Sequence, residues 1–169
     1  MPSELDRVRE KFVTEWGALG SAWGVNRTMA QIHAYLMSCT EPKTTDSIME
    51  SLVISRGNAH SNIKELISWG MVKKVVIKGE RKEHFQAEKD PWRIFCMVAK
   101  ERKRRELEPT LEILKDCEAE LKGSSGKEAQ AFQKQIKSLS EFVEMGNNAM
   151  EKISKAEKNV LLKWLLKLL

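Results

Sequence analysis

Leu5, Val8, Phe12, Val13, Trp16 and Leu19 recur at steps of three and four residues along an otherwise polar stretch. That spacing lines one side of a helix with apolar side chains, and Ser3 with Asp6 supplies the capping pair that opens it. The glycines at 17 and 20 predict its end. A second stripe, Met29, Ile32, Leu36 and Cys39, follows Asn26 as N-cap. It must stop before Glu41 and Pro42, because the residue ahead of a proline avoids the helical region. Thr44 then opens a short helix carrying Ile48, Met49 and Leu52, of about two turns by its spacing. Val53 and Ile54 form a turn. Ser55 caps the next helix, which faces inward through Ala59, Ile63, Leu66 and Ile67 and closes on Gly70 as the C′ residue. Two capped helices joined by so short a turn match the helix-turn-helix arrangement.

Beyond Gly70 the period drops from 3.6 to 2. "MVKKVVIK" is β-branched, "EHFQA" is extended, and "GERK" between them has the glycine and charge of a tight hairpin tip, so a two-stranded wing is predicted. Asp90 followed by Pro91 starts a long helix through Trp92, Phe95, Cys96 and Val98, which Pro109 must kink or break. Leu111, Ile113, Leu114, Cys117 and Leu121 carry a further helix as far as "GSSG" at 123–126, the clearest linker in the chain. Two last helical patterns follow, one through Phe132, Ile136, Leu139, Phe142 and Val143. The other, after a break at Gly146 and Asn147, runs through Ile153, Ala156, Val160, Leu161, Trp164 and Leu165. The final helix is apolar around most of its circumference and needs cover, for which a second subunit is the economical source.

Composition narrows the classes. The chain has 169 residues, enough for one sizeable core or a small domain plus an extension used for association, and a net charge of +5 with pI about 9.1. Cys39, Cys96 and Cys117 are odd in number and contain no CxxC, which argues against a disulfide framework and for a reducing cytoplasm. "MPSELDRVREKF" has no apolar core of a signal peptide, and "VLLKWLLKLL" is far shorter than the roughly 20 residues of a bilayer span. The expectation is a soluble protein with no membrane association. His33, His60 and His84 form no i, i+4 pair and have no cysteine at ligand spacing, so no metal is expected. No phosphate-binding glycine loop, nucleophile motif or paired carboxylates stand in a recognisable frame, so neither an enzyme nor a cofactor is expected.

The candidate chemistry lies in "SRGNAHSNIKELISWG". Serine, asparagine and glycine weaken a helix interior, and Gly57 alone costs roughly 1 kcal/mol. What they offer outward is short hydrogen-bonding groups and a close backbone. Arg56 carries a fork that matches guanine O6 and N7, Asn58 is of a type that bridges adenine N6 and N7, and His60, Ser61 and Lys64 suit base edges or phosphates. Ser55 and Gly57 complete the set. Lys78, Arg81 and Lys82, with His84, put positive charge on the wing, where a phosphate backbone or a narrow minor groove would meet it. Residues 55–85 hold seven Lys or Arg against three acids, so the basic excess sits where this reading needs it. A merely solvated polar face is the plain alternative. The run Lys100, Arg102, Lys103, Arg104 and Arg105 reads as a solvated helix face ahead of a second DNA contact.

"WGVNRTMAQIHAYL", "SRGNAHSNIKELISWGMV", "GERKEHFQAEKDPW" and "ERKRRELEP" together resemble the GbsR-type branch of the MarR-like winged helix-turn-helix transcriptional regulators. The likeness spans roughly residues 14–122, and beyond 122 it extends only to helical character. It implies a homodimer whose terminal helices pair and which sets two winged helices on successive major grooves of double-stranded DNA. It places Ser55, Arg56, Asn58, Ser61 and Lys64 in the recognition helix and Arg81 and Lys82 at the wing tip. Glu80 stands where such a wing commonly has an aspartate. The resemblance also implies a small effector such as choline or a related quaternary ammonium osmolyte. A cage for such a cation needs several aromatic faces within about 6 Å, and Trp16, Trp23, Tyr35, Trp92 and Phe95 are the candidates.

The expected fold is therefore mainly α with a small two-stranded β wing, a winged helix-turn-helix with N- and C-terminal dimerisation helices. The expected domains are 1–24, an N-terminal dimerisation helix; 25–90, the DNA-binding winged helix; and 91–169, a C-terminal helical dimerisation region. The function to test is a cytoplasmic, dimeric, sequence-specific DNA-binding regulator, a repressor by preference, with residues 55–69 in the major groove and 78–84 on the backbone or minor groove. A winged-helix protein-interaction module with a helical assembly domain is the alternative, since fold alone does not decide between them.

Overall fold

In the computed structural model, which describes residues 3–156, the first helix is capped from both directions. The Ser3 side chain accepts from the Asp6 N–H at 3.1 Å while the Asp6 carboxylate accepts from the Ser3 N–H at 3.2 Å. This helix, α1 (Glu4–Ala22), does not end at the glycines of 17 and 20. Both face α2 (Arg27–Ser38), where a Cβ on Gly17 would sit 2.5 Å from Gln31 Cγ and one on Gly20 2.6 Å from Ala30 Cβ. They permit close helix packing rather than terminate a helix. Gly24, with φ +75°, follows the helix as the left-handed residue.

Asn26 caps α2 through the Met29 N–H, and this helix is the centre of the first unit, burying Met29, Ile32, His33, Ala34, Tyr35 and Leu36. Thr44 caps α3 (Thr45–Leu52), Ser55 caps α4 (Arg56–Ser68), and Gly70 takes φ +79° beyond α4. These ends match the sequence expectation because each is set by a local side chain. The sheet differs from it. Strands β2 (Val72–Val75) and β3 (His84–Ala87) form the antiparallel wing, with Val72 opposite Ala87 and Val75 opposite His84. A third strand, β1 (Lys43–Thr44), pairs with the other edge of β3, so the order is β1-β3-β2 and the sheet is three-stranded, not two-stranded. Two residues after a proline show no alternation to read; only the placement of β3 makes them a strand.

The chain divides into two compact units, Met1–Asp90 and Pro91–Leu169. In the second, α5 (Pro91–Arg102) passes into a π-helical segment (Lys103–Leu107) and then α6 (Glu108–Leu121). Pro109 near the start of α6 has no N–H to return to the preceding turn. The chain meets this with a wider turn, in which the Glu108 N–H reaches the Lys103 carbonyl, and the helix continues. A turn at residues 122–126 leads to α7 (Lys127–Lys155), which runs unbroken through Gly146 and Asn147, so the expected break there is absent. The packing of α7 on α5 and α6, centred on buried Ile136 and Leu114, outweighs the helix propensity lost at one glycine, about 1 kcal/mol. The apolar "VLLKWLLKLL" helix lies outside the described residues. No helix among the described residues is long and apolar enough to cross a membrane, and no cluster of metal-ligating side chains occurs among them.

Candidate nucleic-acid interface

The Ser55 side chain accepts from the Asn58 N–H at 3.3 Å and so is committed to the helix start. From there α4 separates cleanly into two sides. Ala59, Ile63 and Leu66 are buried, while Arg56, Gly57, Asn58, His60, Ser61 and Lys64 are exposed. A Cβ added to Gly57 would meet nothing within 4 Å, and its backbone is not left-handed. No internal contact therefore requires glycine at 57. Asn58 and Ser61 are linked, since the Ser61 hydroxyl donates to the Asn58 carbonyl at 3.1 Å. Asn62, on the inner side and only 6% exposed, donates to the same carbonyl.

Asp46, on the first turn of α3, joins the helix to the wing. Its carboxylate accepts from Arg56 at 2.7 Å through one oxygen and from Lys82 at 2.9 Å through the other. The hydrogen bond and charge of Lys82, followed by the charge of Arg56, hold the Asp46 carboxyl below the usual carboxylate range. Two cations chosen from the sequence are thus brought together by an acid that sequence reading missed.

The wing loop spans residues 76–83 and is longer than a tight tip. It turns where the Ile77 carbonyl accepts from the Glu80 N–H, with Gly79 at φ +88° as the left-handed residue such a turn demands. Lys78 and Arg81 are exposed and make no ion pair among the described residues, whereas Lys74 is paired with Glu83. His84 corrects the expectation that it faces phosphate. It is buried at the start of β3, with Nδ1 3.0 Å from the Lys82 carbonyl and Nε2 2.9 Å from the Glu80 carboxylate. Glu80 therefore engages the wing's own histidine, and the pair braces the loop.

The aromatic candidates fall into different settings. Trp16 and Trp23 meet edge to face at 6.4 Å in the first unit, and Trp92 and Phe95 lie 5.7 Å apart in the second. Tyr35 is in the first unit's core, where its hydroxyl accepts from Ser51 at 2.9 Å. In the basic run, Lys103 reaches Glu108 and Glu151, and Arg104 and Arg105 reach Glu101. Those three cations tie helical segments of the second unit together. The missed Asn62 stands four residues after Asn58, a spacing visible in the sequence; the missed Asp46 lies far along the chain from Lys82, with no local signal.

No protein-family model matches the chain. Over 117 residues it is 23% identical to the HTH-type transcriptional repressor GbsR of Bacillus subtilis (strain 168), covering 69% of this chain. The chain spans 64% of that relative's length. Its fold superposes on a crystal structure of a transcriptional regulator with a TM-score of 0.69 at 15% identity, covering 89% of this chain and 99% of the other. With the capped helix pair, the braced wing and these two likenesses, the chain is a winged helix-turn-helix protein similar to the GbsR-type transcriptional regulators.

Proposed function

We propose that this protein is a transcriptional regulator that binds double-stranded DNA in a sequence-specific way, with α4 in the major groove and the wing on the backbone or minor groove. The observation that carries the reading is the junction at Asp46. The outward side of α4, with a glycine no neighbour requires, is held beside a basic wing by one carboxylate shared between Arg56 and Lys82. On this reading Arg56, Asn58, His60, Ser61 and Lys64 face the groove, Gly57 admits the backbone, Ser55 sets the helix start, and Lys78, Arg81 and Lys82 meet phosphates. The name of the Bacillus relative supports repression as the sign. Such a protein works in the cytoplasm with its DNA.

Selection of genomic fragments followed by titration of variants tests it. Arg56→Ala should relax base preference, whereas Arg81→Ala should weaken every sequence alike and flatten the log K against log salt slope by about 0.9. Unchanged binding in both variants would refute this face, and failure to select any fragment would favour the protein-interaction module. The regulator acts as a homodimer on this reading, supported by Phe132, Leu139, Phe142 and Met145, which α7 leaves exposed. Phe142→Glu should lower the mass found by sedimentation equilibrium; an unchanged mass counts against this face. For an effector, a cation such as choline would meet Trp23, which is exposed, beside Trp16. Choline should then alter tryptophan fluorescence in the native protein and not in Trp23→Leu, and a flat native titration removes it.

A further inference from the structure

Asn62 sits on the buried side of α4, and its Nδ2 donates to two oxygens of the same residue, the Asn58 carbonyl at 2.8 Å and Asn58 Oδ1 at 2.7 Å. The chain itself settles which way both amides point. A backbone carbonyl only accepts, so Asn62 must turn its NH2 toward it. That same NH2 lies against the Asn58 amide, and two facing NH2 groups would repel, so Asn58 must turn its oxygen inward. Its Nδ2 occupies the other arm of the fork, on an exposed residue, and has no partner among the described residues.

We infer that Asn62 is a positioning residue that presets Asn58 as a hydrogen-bond donor toward DNA. An asparagine bridging adenine must show oxygen and NH2 to the base edge together. Here the oxygen arm is turned inward, so Asn58 recognises acceptors alone, either the N7 and O6 edge of guanine or a phosphate oxygen, rather than the mixed acceptor and donor edge of adenine. The inference rests on α4 facing DNA, as proposed above, and adds which chemical group one of its side chains reads.

Selection from a randomised duplex library with the native protein, Asn58→Ala and Asn62→Leu tests it. If the acceptor is a base, Asn58→Ala identifies one operator position at which the native protein prefers guanine, and Asn62→Leu, freeing the amide to fork, moves that preference toward adenine by about tenfold. If the acceptor is a phosphate, both variants weaken all selected sequences by the same factor and leave preferences intact. A native preference for adenine at the Asn58 position overturns the inference. So does an Asn62→Leu protein that binds and selects as the native one does, or an Asn58→Ala protein with no loss at all. Should Asn62→Leu fail to fold, side-chain amide exchange in the native protein decides. The Asn62 NH2 should be protected with or without DNA and the Asn58 NH2 only with DNA, and the reverse order overturns it. A native protein that selects no sequence refutes the DNA reading itself, a result distinct from all of these.

Discussion

Val53 holds φ +53° although its side chain is β-branched, and that side chain is 91% exposed. Left-handed backbone costs a branched residue about 1 kcal/mol or more, and here almost no burial offsets it. Val53→Asn, which accepts this backbone with less added unfolded-state freedom than glycine would bring, should raise stability in urea unfolding by up to about 1 kcal/mol. A fall would show that the valine side chain contributes contacts after all. His33 is a second residue whose cost is local. It is buried, its Nε2 has no partner, and burial pushes its pKa down to about 4 from 6.5 against the opposing influence of Glu88. The unfolded chain binds that proton at higher pH than the folded one, so stability is full above pH 6.5 and is lost as pH falls toward 4. The loss should reach about 3 kcal/mol in urea titrations between those limits, and His33→Leu should remove most of the slope. An unchanged slope in that variant would place the titration elsewhere. Neither feature was legible in the sequence, since φ at 53 and the surroundings of His33 both depend on how α2, α3 and β3 come together.

Among the elements, the helix starts at Ser3, Asn26, Thr44 and Ser55 were legible because one side chain and a backbone N–H three residues on decide each of them. Glycines were harder, since the same residue serves opposite ends. Those at 17 and 20 allow α1 to approach α2, whereas Gly70 and Gly79 supply left-handed backbone. Gly146 does neither. It lies inside α7 with helical backbone, and an added Cβ would meet nothing within 4 Å. Gly146→Ala should therefore stabilise the protein by roughly 0.5–1 kcal/mol in thermal or urea unfolding. Destabilisation would reveal a contact that an open helix surface does not have. In the same unit the Lys103 hydrogen bond, followed by that of Lys155, pushes the Glu151 carboxyl down to about 2. The link from the π segment to α7 should thus survive mild acid.

At the level of the whole molecule, the candidate site is an assembly of three parts on one carboxylate. Asp46 partly neutralises Arg56 and Lys82, so on the proposed DNA-binding reading a phosphate must compete with it for either cation. Asp46→Asn removes that competition. Affinity for non-operator DNA should rise several-fold at low salt, and the salt slope should steepen by about 0.9 for each cation passed to a phosphate. Weaker binding in this variant would mean that Asp46 chiefly orients its partners. The outward polar side of α4, the basic residues of the wing and the order helix, turn, helix, hairpin were already present in the amino-acid pattern. Periodicity and caps act within a few residues, so the chain alone declares them. What folding added was the third strand, the inward turn of His84, the Asp46 bridge and the Asn62 lock on Asn58. The third strand and the Asp46 bridge join residues through pairings that the tertiary arrangement creates. His84 pairs locally but is turned inward by the placement of β3, and Asn62 gains its consequence only because its side of α4 is sealed from water.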